Sequence, residues 1–188
     1  MEALLTSFIA AALGQWGDKS QWLVADLAAR YRRPRAILLG AAVAALANSL
    51  IAGIGGGLIH PMITPRATSL LLAIAFVFAG VEGLLGRRPK PKGEAWRQGP
   101  IATAAFCVFV FGFADKSQFV TAALAAQFNA PLLAAAGAAA GTIASSIPAA
   151  YLGERFHRAA PVRTIGICVG LLFLVTAFVL GVNALRLT

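Results

Sequence analysis

Long apolar runs alternate with short polar gaps along this chain, at a spacing that suits a bilayer. A helix needs about 20 apolar residues to cross a hydrocarbon core of about 30 Å. Six runs have that length, at roughly 4–28, 36–57, 67–86, 100–126, 131–152 and 162–184. The gaps hold helix-ending punctuation: Pro34 and Pro131 after the first and fourth runs, His60-Pro61 and Pro65 after the second, Pro89 and Pro91 after the third, and Pro161 before the sixth. The pattern predicts an all-α membrane protein with six transmembrane helices.

Two runs break their own apolarity in the same way. Asp18-Lys19-Ser20-Gln21 lies inside the first, and Asp115-Lys116-Ser117-Gln118 repeats it inside the fourth. An ionisable group at membrane depth costs at least about 2.5–3.5 kcal/mol, so such residues are rare and usually serve a pathway or site. The 97-residue offset between the motifs also aligns Ala25, Leu27, Ala28 and Ala29 with Ala122, Leu124, Ala125 and Ala126. It further aligns Pro34 with Pro131, Gly40 with Gly137 and Ser49 with Ser146. Each copy holds three helices, an odd number, so the second inserts upside down relative to the first. This predicts a 3+3 inverted repeat: residues 1–86, a basic cytoplasmic linker at 87–99, and residues 100–188. In such transporters the site lies near the midplane, between the repeats. Both aspartates fall roughly 20 Å along their helices, which is near that depth.

Composition narrows the class. The chain is 59% hydrophobic and 12% charged, far from the quarter or so charged in a soluble domain. Its net charge of +9 does not describe a nucleic-acid surface, because the basic residues cluster in the gaps. Arg30, Arg32, Arg33, Arg35, Arg87, Arg88, Lys90, Lys92, Arg97, Arg155, Arg158 and Arg163 fall in the first, third and fifth gaps, whereas only Arg66 and Arg186 fall on the opposite side. The positive-inside rule then puts both termini outside the cytoplasm, in a cell inner (plasma) membrane. Met1-Glu2-Ala3 lacks the basic start of a signal peptide, so the first run is expected to be a retained helix. Cys107 and Cys168 lack metal-ligand spacing and read as packing residues.

On a continuous helix, Gln15, Asp18, Gln21 and Trp22 share one face, as do Gly112, Asp115, Gln118 and Phe119. Oxygen donors of this kind suit hard cations such as Mg, Ca or Mn. The expected ion site is Asp18, Asp115, Gln15, Gln21, Gln118, Ser20 and Ser117, with Lys19 and Lys116 pairing across the repeats with the opposite Asp. Each serine could instead bond a backbone carbonyl one turn back. Gly14, Gly17 and Gly112 are either close-packing points or places where the helix loosens. Asp26 could form an ion vestibule but is expected to pair with Arg30, and Glu82 could swing toward the pathway but is expected to pair with the basic residues at its helix end. Gly53-Ile54-Gly55-Gly56-Gly57 lacks the Lys-Ser/Thr of a phosphate loop and reads as a tapering helix end. His60 and His157 fall in loops with nothing convergent around them.

Two Asp-Lys-Ser motifs on the first and fourth of six helices resemble the Gdt-type calcium/manganese:cation antiporters, whose signature is Glu-x-Gly-Asp-Lys-Ser/Thr. The resemblance covers nearly the whole chain. It implies that Gln15, Gly17, Asp18, Lys19 and Ser20 stand for the first motif and Gly112, Ala114, Asp115, Lys116 and Ser117 for the second. It also implies export of Mn²⁺ or Ca²⁺ from the cytoplasm in exchange for protons, with the ion as substrate, the bilayer as surroundings, and neither cofactor nor nucleic acid. The chain departs from the signature at both glutamates, which are Gln15 and Gly112, and at the second glycine, which is Ala114. Two Asp against two Lys leave the motif site formally neutral. A divergent carrier of a monovalent cation or other small solute is the alternative, and an intramembrane aspartyl protease is a remote one.

Overall fold

The computed structural model describes residues 1–85, 99–156 and 162–185. The expected linker at 87–99, apart from Gly99, lies outside these residues, as do His157, Arg158, Pro161 and Arg186. Among the described residues the fold is helical throughout, with eight α-helices: α1 (Glu2–Gly14), α2 (Lys19–Tyr31), α3 (Pro34–Ile59), α4 (Pro65–Leu85), α5 (Pro100–Gly112), α6 (Lys116–Phe128), α7 (Pro131–Leu152) and α8 (Val162–Leu185). Proline opens α3, α4, α5 and α7, where its fixed φ suits a helix and its missing N–H is no loss. Left-handed residues close α2 and α6, Arg32 at φ 51° and Asn129 at φ 48°, again 97 positions apart.

The two motif runs are not the single continuous helices that the sequence pattern predicts. Each is a pair of 13-residue helices broken at the motif, and the second pair bends by 70°. Four helices (α3, α4, α7 and α8) are long and apolar enough to cross a membrane, and a fifth crossing is reached if α5 and α6 count as one broken span. The glycine-rich stretch is also not a taper. Helix α3 runs through it to Ile59, and a Cβ at Gly53 or Gly56 would collide with the backbone of Pro131 or Ala122. Large apolar side chains such as Leu39, Val43, Leu50, Ile54 and Leu58 point outward along α3. That is normal in lipid, where helices associate through small residues rather than by burying large ones.

Packing follows the sequence repeat. Helix α1 lies along α7 as α5 lies along α3, and α4 pairs with α8. Gly40 on α3 meets the carbonyl of Ile101, and Gly137 on α7 meets that of Leu4, leaving no room for a Cβ at either. The equivalence stops at one place: α6 packs on α4, whereas α2 makes far less contact with α8. Consequently α2 is walled by α3, α5, α7 and Phe156, while α6 is walled by α3, α4, α7 and α1. Helix α4 is thereby brought to the second motif. Cys107 and Cys168 are free thiols.

Candidate functional site

Helix α1 ends at Gly14, and the chain turns through Gly17 at φ 80° before α2 begins with Asp18 as its N-cap. Helix α5 ends at Gly112 and turns through Ala114 at φ 56°, and Asp115 is the N-cap of α6. The expected shared helix face of Gln15, Asp18, Gln21 and Trp22 therefore does not form. Asp is a preferred N-cap, and Asp-x-x-Gln resembles a capping box, so the four letters read as a new helix start. Apolarity on both sides concealed that signal. Left-handed φ suits Gly17 but is strained for the Cβ of Ala114.

Gln21 and Gln118 hold the breaks. Gln21 Oε1 accepts from the Gly17 amide at 2.9 Å while its Nε2 donates to the Ser145 carbonyl at 2.7 Å. Gln118 Oε1 accepts from the Ala114 amide at 2.8 Å, and its Nε2 donates to the Asn48 carbonyl at 3.3 Å. Each glutamine thus ties its own break to the long helix packed along it, the α1–α2 break to α7 and the α5–α6 break to α3.

The breaks bring the motifs together. Gln15 Nε2 donates to Ser117 Oγ at 2.9 Å, joining the two copies directly. Ser20 Oγ donates to Asp18 Oδ2 at 2.7 Å, and the Ser20 amide donates to the same oxygen at 3.3 Å. Lys116 Nζ lies 3.1 Å from Asp18 Oδ1, so one expected cross-repeat pair forms, with both side chains almost fully buried. The other pair is different from the expected one. Lys19 Nζ bonds Glu82 Oε1 at 3.4 Å rather than Asp115, and Lys116 approaches Glu82 Oε2 at 4.0 Å. Asp26 pairs with Arg30 at 3.2 Å, as its spacing predicts.

Glu82 is the residue that sequence reasoning set aside. Helix α4 carries it into the motifs, where Asp18, Glu82 and Asp115 can each offer a carboxylate oxygen within 4.8 Å of the others. Glu82 changes the formal charge of the cluster from neutral to −1. One oxygen of Asp115, Oδ2, is buried without a hydrogen-bond partner. The breaks bring the C-terminal ends of α1 and α5 and the N-terminal ends of α2 and α6 to this region, with Asp18 and Asp115 capping the latter two. Three carboxylates, hydroxyls and amides on broken helices are a donor set that suits a hard cation.

A family model described as "Divalent cation/proton antiporter GDT1" matches residues 3–90 and again residues 100–187. A protein of Vibrio cholerae serotype O1 (strain ATCC 39541 / Classical Ogawa 395 / O395) named "Putative manganese exporter" is 27% identical over 155 residues, covering 82% of this chain and 78% of that one. No solved structure matches. These matches make the protein a cation transporter of the membrane rather than an enzyme, which removes the protease reading. With both halves matched, the chain belongs to the GDT1 family of divalent cation/proton antiporters.

Proposed function

We propose that this protein exports a divalent cation, Mn²⁺ before Ca²⁺, from the cytoplasm in exchange for protons, and that Asp18, Glu82 and Asp115 bind the ion. The carrying observation is the convergence of these three carboxylates, two from the duplicated motifs and one from α4. The similarity to a protein named as a manganese exporter supports Mn²⁺ as the substrate. Ser20, Ser117 and Gln15 line the same site and serve as neutral ligands or as orienting groups, whereas Gln21 and Gln118 brace the helix breaks. In this reading Lys116 occupies the place of the cation. The incoming ion displaces its ammonium from Asp18, and the ammonium returns when the ion leaves, so the site is never left with unbalanced buried carboxylates.

The broken pairs α1–α2 and α5–α6 each count as one crossing in this reading. That gives six crossings in an inverted 3+3 arrangement, with units 1–86 and 100–188 joined by a cytoplasmic linker at 87–99. The correspondence of the α1–α7 and α5–α3 packings supports it. The basic gaps support placing both termini outside the cytoplasm of a plasma membrane. The test is Mn²⁺ flux in proteoliposomes driven by a pH gradient. Wild type should carry Mn²⁺ and Asp18→Asn should not, whereas transport of a monovalent cation with no Mn²⁺ flux would favour the alternative carrier.

A further inference from the structure

We propose that Asn48 of α3 is a ligand for the transported cation and takes the place of the glutamate that the second motif lacks at Gly112. This deepens the cation reading above and rests on it. Asn48 is 8% exposed. Its Nδ2 donates to the Phe109 carbonyl at 3.2 Å, a carbonyl near the end of α5, where the Phe113 amide bonds Val110 instead. That bond fixes the amide's orientation, with Oδ1 as the outward acceptor. Oδ1 is buried and has no partner, and the same holds for Asp115 Oδ2. Both residues line one small cavity of about 30 Å³, together with Gln15, Ser20, Ser117 and Thr121. A space of that size admits one water or one ion. Two orphaned oxygens, one anionic and one neutral, on a cavity walled by hydroxyls form a cation subsite that shares Asp115 with the carboxylate cluster.

The exchange with Gly112 is visible in the packing. A Cβ on Gly112 would lie 2.8 Å from Asn48 Nδ2, so the amide fills the room that a side chain at 112 would need. The α1–α7 packing pair has the reverse arrangement. There the motif position keeps a long side chain, Gln15, and the residue equivalent to Asn48, 97 positions on, is the small Ser145. Long and short residues have traded places between the motif and the facing helix, so one amide oxygen reaches the site from each packing pair, Gln15 at the end of α1 and Asn48 beside α5.

The experiment is Mn²⁺ binding to the purified full-length protein by calorimetry, with Ca²⁺ in parallel. Asn48→Ala should weaken Mn²⁺ about tenfold. Gly112→Glu should restore that loss or exceed it in the Asn48→Ala background, where the space is free, and should gain much less in wild type. A purely structural role for Asn48 would not be rescued from a different helix. Asn48→Asp keeps the shape and should tighten Mn²⁺, which covers the case of a poorly folding alanine variant. Unchanged affinity in Asn48→Ala and Asn48→Asp would overturn the assignment, as would an equal gain from Gly112→Glu in both backgrounds. A wild type that binds neither Mn²⁺ nor Ca²⁺ would overturn the cation reading itself, and this assignment with it.

Discussion

Replacing Lys116 by methionine removes the ammonium but keeps most of the apolar stem. The pair it breaks is short, 3.1 Å to Asp18 Oδ1, and the two side chains are 8% and 2% exposed. Taking one partner from a buried pair leaves an uncompensated charge and costs about 3–5 kcal/mol. Asp18 keeps two hydrogen bonds from Ser20, and the cation of Lys19 is held 3.4 Å from Glu82, so the low end, about 3 kcal/mol, is expected. The double variant Asp18→Asn/Lys116→Met should recover most of the loss, giving a large coupling between sites that act as one unit. Mn²⁺ should also stabilise Lys116→Met more than wild type, because no tethered ammonium competes for the carboxylates and a ligand stabilises by its affinity for the folded state. Thermal unfolding in detergent, with and without Mn²⁺, measures both effects. Wild-type stability in Lys116→Met, or strict additivity with Asp18→Asn, would refute the buried pair. An Mn²⁺ shift no larger than that of wild type would refute the displacement step.

Ala114→Gly should stabilise the fold by roughly 0.5–1 kcal/mol, because relief of left-handed strain exceeds the added backbone entropy of the unfolded chain; unfolding midpoints decide it, and a destabilised variant would contradict the strained turn. Gln15→Glu should tighten Mn²⁺ in binding titrations by adding a carboxylate beside Ser20 and Ser117, whereas no change would favour a site tuned to another solute. Glu82→Gln should lower Mn²⁺ transport at least tenfold in proteoliposomes; transport equal to wild type would place Glu82 outside the site. A reporter that fluoresces only in the cytoplasm, fused after Thr188, should stay dark, and a bright fusion would reverse the orientation.

Much of the fold was legible because lipid imposes a length on every crossing. Helices α3, α4, α7 and α8 fall where the apolar runs stand, with proline at or near the expected starts. The 97-residue repeat of Gly40 and Gly137 has a physical counterpart in two equivalent close approaches, to Ile101 and to Leu4. The helix breaks were hidden because hydropathy averages over the motif, while the turn is set by one φ at Gly17 and an N-cap at Asp18. Sequence identified the motif residues but not their division of labour, since Gln21 and Gln118 look like ligands until their partners on α7 and α3 are seen. Glu82 and Asn48 were out of reach for a different reason. Neither belongs to the repeated letters, and each enters the site only through tertiary packing, α4 against α6 and α3 against α5.

The most direct test of the shared site is anomalous scattering from crystals of the full-length protein grown with Mn²⁺. The three-carboxylate account predicts one strong peak within coordination distance, about 2.0–2.6 Å, of oxygens from Asp18, Glu82 and Asp115, with Lys116 Nζ moved off Asp18. A peak bound away from these carboxylates, with the Lys116–Asp18 pair intact, would contradict it.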